Sequence, residues 1–381
     1  MDGGSSLRKT KHFEFRTVLI RRDTSSEYVR WVDRVLESHK GLVLKEFVIR
    51  SCLGLQHEEP ITRWLEYALA RQVHSLELNL EPWYDNSMYG LPRELLVAGD
   101  SRFKSIRALT FKDVSVSEKD IDFFLRNCPL LEELIVFNSP ALSNLEICGP
   151  SLALKHLEIV FCRRLKSLRV SAPNLARFWV ATYNGLLVGN LPMLVEILAQ
   201  CKDDDVSLAH LFSTLSSSSR LETLRLTMFQ SRGMHELHNL SLLPKLKKMV
   251  IEYIDKGRKT IFQLYDLIRA SPFLEEFVLK YQSGCIPRTD NEVEDAIVSS
   301  PHHHLKVVEF SGGFGRTSLL RFVDYILENC VVLEKVIVDP CYGASNLIML
   351  DNMLDFQENV RKKAKQHFEA RVPQHVELVI L

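Results

Sequence analysis

Leu131-Glu-Glu-Leu-Ile-Val136, Leu142-Ser-Asn-Leu-Glu-Ile147, Leu154-Lys-His-Leu-Glu-Ile159, Leu165-Lys-Ser-Leu-Arg-Val170 and Leu175-Ala-Arg-Phe-Trp-Val180 are five copies of one hexamer, L-x-x-L-x-L with other apolar residues allowed. Each reads as a half-buried strand. Side chains alternate faces with period two, so the last two apolar residues enter a core and the residue between them faces out. The first apolar residue turns the chain inward beforehand. The copies start 11, 12, 11 and 10 residues apart, too close for a helix-bearing coil each. Alternate copies, at 131, 154 and 175, are 23 and 21 apart, a leucine-rich period. This spacing predicts inner strands at 131, 154 and 175 and strands on the outer side at 142 and 165.

The pattern extends in both directions. Earlier copies start at Leu44, Val73 and Ile106, and later ones at Leu194 (degenerate), Leu221, Leu246, Leu274, Leu305 and Leu333, fourteen in all. Most of these starts are 25–33 apart, which leaves room for a helix. Ser115 to Asn127 opens with Ser-x-x-Glu, a capping-box spacing, and stops at Cys128-Pro129. Helices are also predicted over Ile261–Ala270 and Ser318–Asn329. At the N-terminal end, residues 13–21 alternate like an edge strand, followed by helices over 26–39 and 60–71, the second with Pro60 at its first position. At the other end, a basic amphipathic helix over Asp355–Ala370 leads to a last strand, Val376–Leu381. No coil buries its apolar face alone, so the copies must stack. The fold expected is an α/β leucine-rich-repeat solenoid, with a curved parallel sheet on its concave face and helices and short strands on its convex face.

Composition narrows the function. The 381 residues carry 48 basic and 48 acidic side chains, a net charge of zero, which excludes a chain held to nucleic acid by bulk charge. Hydrophobic residues make up 46% and charged residues 25%, as in soluble globular proteins. No signal peptide and no apolar run long enough for a membrane span is present in this sequence. The eight cysteines stand singly with no C-x-x-C pair, which fits free thiols in a reduced cytosolic or nuclear compartment.

Chemical motifs are sparse. His302-His303-His304 lacks a Cys or carboxylate at ligand spacing and reads as a loop before a strand. Gly312-Gly-Phe-Gly-Arg-Thr317 departs from a phosphate loop at Phe310 and Arg316, and reads as a strand-to-helix turn with Thr317 as N-cap. Neither G-x-S-x-G nor H-E-x-x-H occurs, so no catalytic residue, metal or cofactor is expected. The run Arg361-Lys-Lys-Ala-Lys365 reads as the polar face of the last helix, and Asn239-Leu-Ser241 is a sequon by pattern only.

What remains is the outward side of the inner strands. Period two puts Glu133, Ile135, Phe137, His156, Glu158, Arg177, Trp179 and Ala181 there, and further along Thr223, Arg225, Thr227, Lys248, Glu252, Glu276, Val278 and Lys280. The candidate partner-binding residues are Glu133, Phe137, His156, Glu158, Arg177, Trp179, Arg225, Lys248, Glu252 and Lys280. Trp179 is singled out because aromatic and arginine side chains dominate binding hot spots. A one-residue slip of register would put it in the core instead.

The order of these phrases resembles the plant family of F-box/leucine-rich-repeat proteins with an FBD-type C-terminal segment. The resemblance rests on Tyr28–Gly41 followed by Leu44-Lys-Glu-Phe, on Ile61–Arg71 with Val73–Leu78, on Cys128-Pro-Leu-Leu-Glu-Glu-Leu134 and Ala172-Pro-Asn-Leu175, and on Leu305–Thr317 through Tyr325–Val336. It implies residues 1–43 as the cap after an F-box, 44–304 as the repeat solenoid and 305–381 as FBD-like repeats and cap. It also implies a substrate receptor of a Skp1–cullin–F-box ubiquitin ligase that takes a target protein on its concave face. The F-box itself is expected to be missing, because the sequence starts where that module should already have ended; Leu91-Pro-Arg-Glu-Leu-Leu96 imitates its opening, but Gly99 and Asp100 follow at once. Skp1 docking would then need a longer product, and an F-box-less scaffold or decoy is an alternative. A small-molecule receptor is another, for which Arg177, Arg225 and Lys248 are a thin cationic set.

Overall fold

A computed structural model describes residues 12–16, 25–41, 43–53, 55–81, 88–97, 99–182, 186–201, 208–229, 240–255, 264–283, 301–313, 317–342 and 353–381. The chain divides into two compact units, residues 1–181 with 185–193, and 182–184 with 194–381.

In the first unit the hexamers become strands as the alternation requires. Its elements are β1 (His12–Arg16), α1 (Ser25–Ser38), β2 (Glu46–Ser51), α2 (Glu58–Ala70), β3 (Ser75–Leu80), β4 (Ala108–Lys112), α3 (Glu118–Asn127), β5 (Glu133–Phe137), β6 (Asn144–Cys148), β7 (His156–Val160), β8 (Ser167–Ser171), β9 (Arg177–Thr182) and β10 (Leu186–Val188). Strands β1, β2, β3, β4, β5, β7 and β9 pair in that order as a parallel sheet. Strands β6, β8 and β10 form a separate parallel sheet, so the copies at 142 and 165 do leave the main sheet. The inward residues Phe47, Leu76, Leu109, Leu134, Leu157 and Phe178 lie in register across six strands, and all are buried. Truncating one to alanine removes about 2–5 kcal/mol.

The exits of β4, β5 and β7 share one backbone device. Asp113, Asn138 and Phe161 have φ of 57°, 54° and 57°. This left-handed turn lets the Asp113 N–H donate to Phe137 O at 3.0 Å and the Asn138 N–H to Val160 O at 2.9 Å, so each coil locks onto the next. Asn138 Nδ2 also donates to Asp113 Oδ1 at 2.6 Å. Asp and Asn tolerate this region; phenylalanine does not do so readily.

Two local expectations shift. The capping box belongs to Ser117 and Asp120, not Ser115 and Glu118. Glu118 instead accepts from the Ser143 hydroxyl at 2.8 Å and the Asn144 N–H at 2.9 Å, so the neighbouring coil takes the carboxylate that a local box would have used. Pro60 is the third residue of α2, because a 3-10 turn over Leu55–His57 feeds the helix earlier. Strand β1 covers only part of the stretch 13–21, whose remainder lies outside the described residues. The sequence reading also had no counterpart for β10.

The second unit contains β11 (Glu196–Cys201), α4 (Leu208–Leu215), β12 (Thr223–Phe229), β13 (Lys248–Asp255), α5 (Leu264–Arg269), β14 (Glu276–Ser283), β15 (Val307–Ser311), α6 (Thr317–Asn329), β16 (Lys335–Asp339), α7 (Met353–Glu369) and β17 (Glu377–Ile380). Strands β11 to β17 pair in chain order as a parallel sheet. Leu224, Met249, Phe277, Val308 and Val336 form its inward row, all buried. Helix α4 was not read from the sequence, although Leu208, Leu211, Phe212 and Leu215 carry the helical spacing and are buried. Thr317 is the first residue of α6 and not its N-cap.

The loop after β15 needs glycine. Gly312 and Gly313 both have φ of 73°, and a Cβ on Gly312 would overlap the Tyr281 carbonyl oxygen and stand 3.0 Å from that of Tyr342. The residues 314–316 of the same motif lie outside the described residues, as does Asn239.

Candidate protein-interaction face

Parallel register stacks the outward residues of β5, β7 and β9 in rows. Glu133, His156 and Arg177 form one row, and Ile135, Glu158 and Trp179 the next. Phe137 and Val160 start a third. Phe178 and Val180 are buried on either side of Trp179, so the register does not slip and the indole lies on the outward face.

At the middle of this patch is His156, only 7% exposed. Its Nδ1 is 3.1 Å from Glu133 Oε2, and its Nε2 is 2.9 Å from Glu158 Oε1, off the line of a good hydrogen bond. The bond to Glu133 and the contact with Glu158 outweigh burial and raise His156 to about 9. The ring is therefore an imidazolium at neutral pH, and the same bond holds the Glu133 carboxyl below its usual range. Trp179 stands edge-on to it, with ring centroids 5.7 Å apart. The Trp179 indole N–H is enclosed and meets no acceptor among the described residues. Trp179 thus leans over His156 and is half-buried, where the sequence had it protruding.

The charges here cancel: Glu133 and Glu158 against His156 and the exposed Arg177. What distinguishes the patch is apolar surface. Ile135, Phe137, Phe161 and Trp179 are all partly exposed. Phe161 meets Phe137 edge-on at 4.9 Å. Phe161 was not among the sequence candidates. It occupies the left-handed turn position that Asp113 and Asn138 fill in the preceding coils, which only the structure reveals, and a bulky residue there costs about 1–3 kcal/mol unless the surroundings hold it. Ala181, expected to face out, is 1% exposed.

In the second unit the outward residues are paired with each other. Arg225 Nε is 2.8 Å from Glu196, and Lys248 Nζ is 2.7 Å from Glu276. Glu252 accepts from Gln282 at 2.8 Å, from the Tyr342 hydroxyl at 3.2 Å and from Thr227 at 3.3 Å. Lys280 lies 5.5 Å from the centre of the Tyr342 ring, a cation–π contact. Gln282 and Tyr342, which complete this cluster, were not sequence candidates, because Tyr342 comes from the turn after β16. Val278 lies in an outward row yet is buried, because it sits beside Val250 in register. Arg225 and Lys248 therefore enter carboxylate pairs within the sheet, which leaves less cationic character for an anionic small ligand than their sequence positions suggested.

His302 is buried, not solvated as its position in a histidine run suggested. Its Nδ1 accepts from the Leu305 N–H at 3.1 Å, and Nε2 lies 3.1 Å from Ser271 O, which assigns the Nε2–H tautomer. Burial pushes its pKa down. Burial likewise raises the thiols of Cys128 and Cys330 to about 12 and that of Cys162 to about 11, which makes them packing groups. No cluster of metal-ligating side chains occurs among the described residues.

A protein-family model, described as the LRR domain of At1g61320/AtMIF1, matches residues 100–381. The chain belongs to this leucine-rich-repeat family. It is also similar to the Arabidopsis thaliana "F-box/LRR-repeat protein At2g42730", 21% identical over 419 aligned residues that cover 98% of this chain and 88% of the relative. A second relative from the same plant, "F-box protein At4g27050", is 22% identical over 386 residues, 86% of this chain and 80% of its own. Family membership and the parallel sheets agree on a leucine-rich-repeat module of the protein-interaction kind.

Proposed function

We propose that the chain is a non-enzymatic recognition module, the substrate-receptor arm of a Skp1–cullin–F-box-type ubiquitin ligase. It would act in the cytosol or nucleus and hold its target against the outward face of β5, β7 and β9. The observation that carries this reading is the partly exposed Phe137–Phe161–Trp179 surface, including one aromatic in a strained backbone turn, on a patch whose charges neutralise each other. Exposed aromatics in a partly desolvated setting are the usual anchors of protein interfaces. The relatives' names, which include F-box proteins, support the ligase connection.

Two arms test it. The purified chain is first mixed with a plant Skp1 homologue; binding supports the receptor role. Absence of binding would remove the ligase role from this polypeptide and leave a scaffold or decoy. Proximity labelling in plant cells then compares the parent with Phe161→Asn and Trp179→Ala. A target labelled by the parent and lost with both variants supports the face, and unchanged labelling refutes it. Phe178→Ala is the folding control. As a fully buried aromatic it should lose about 3–5 kcal/mol, well beyond the loss at half-buried Trp179.

A further inference from the structure

Strand β17 is bonded along one side only, to β16, and no described strand follows it in the sheet. The Glu377 N–H donates to Glu334 O and the Leu381 N–H to Val338 O, both at 2.9 Å. Residues 377, 379 and 381 thus direct their backbone groups at β16, and the N–H and C=O groups of Leu378 and Ile380 point the other way. The side chains are open as well. Leu378 and Ile380 continue the inward row of Val336 and Val338, which are fully buried, yet both are partly exposed because no further described coil covers them. Val379 is partly exposed in the outward row, and Leu381 is 57% exposed. Protein edges are commonly blunted by lysine, proline or a bulge, and Leu378-Val-Ile-Leu381 carries neither a charge nor a proline.

This edge complements itself. A two-fold axis through Val379 sets two β17 strands antiparallel, with Leu378 of each copy opposite Ile380 of the other. These are the residues whose backbone groups are free, so each such pair exchanges both N–H···O bonds. They also belong to the same inward row, so the apolar side of one copy continues into that of the other. The charges match too. Glu377 is exposed at the start of the strand, and Arg361 of α7 donates to Leu381 O at 3.2 Å at its end. The same axis puts Glu377 of one copy opposite Leu381 of the other, so the acidic end of each strand meets the end that carries the guanidinium.

We infer that the β17 edge is a homodimerisation surface, taken by β17 of a second copy in antiparallel register centred on Val379. Its isologous geometry closes at two chains.

The test is sedimentation of the full chain across the micromolar range, which should show a concentration-dependent shift from one chain to two. Val379 faces itself across the axis, where side chains of a non-hydrogen-bonded pair lie closest. Val379→Lys and Val379→Asp should therefore each weaken self-association at least tenfold. An equimolar mixture of the two should form a heterodimer at least tenfold tighter than either variant alone. The position is partly exposed, so both variants should keep the circular dichroism of the parent. A separate arm does not depend on those charges: Val379→Cys, oxidised in the dimer, should join two chains through residue 379, read by peptide mass mapping. A parent that stays a single chain at high micromolar concentration overturns the inference. So does a Val379→Lys variant that dimerises as tightly as the parent, a mixture that gains nothing, or the absence of the crosslink at 379.

Discussion

Raising the pH should unfasten the centre of the β5–β7–β9 patch by removing one proton. In the unfolded chain His156 titrates near 6.5, and in the folded protein at about 9. The folded state therefore binds the proton more tightly, and its stabilising contribution is complete below 6.5 and disappears as pH rises through 9. The full difference is worth on the order of 3 kcal/mol before solvent screening of the carboxylates reduces it, and most of it remains at pH 7 and almost none at pH 10. The depressed Glu133 is the other half of the same interaction and is not counted again. The measurement is urea unfolding from pH 6 to 10, followed by tryptophan emission. All four tryptophans (31, 64, 83 and 179) fall in the first unit, so the signal reports the relevant unit. His156→Gln serves as the reference, since it keeps the volume and lacks the titration. The stability difference between parent and variant should shrink by roughly 2 kcal/mol between pH 7 and pH 10. A difference that stays constant across that range would show that His156 is neutral in the folded protein and refute the clamp.

Two further predictions follow from local geometry. Ser117→Ala should lower stability by about 1 kcal/mol through loss of the cap, and Ser115→Ala should change it by less than half of that; the reverse order in chemical unfolding would restore the box expected from sequence. Gly312→Ala forces a Cβ into the Tyr281 carbonyl at a positive φ, and should cost about 2–4 kcal/mol. Hydrogen exchange in 276–283 and 335–339 should rise, and an unchanged exchange pattern would mean the loop relaxes freely.

Much of this protein is legible from local pattern because burial on a strand has period two. The hexamers determine which residues face inward, and the spacing of 23 and 21 separates inner from outer strands, as β5, β7 and β9 against β6 and β8 bear out. Trp179 was assigned to its face for the same reason. A strand or helix that repeats poorly, as β10 and α4 do, left no hexamer to find.

Tertiary structure decided what those faces carry. Glu133 and His156 are 23 residues apart, and only parallel register brings their side chains within 3.1 Å. The carboxylate of Glu118 has a local partner in sequence, but the next coil offers it more donors. Phe161 reads as one more apolar residue until the chain's left-handed turn reveals the strain and the edge contact with Phe137. Val376–Leu381 reads as a strand from sequence, but that its second edge meets no described strand follows only from the order of the sheet. Local chemistry sets each strand's two faces; which side chains from different coils meet on a face depends on register and turn geometry, which are properties of the stacked chain.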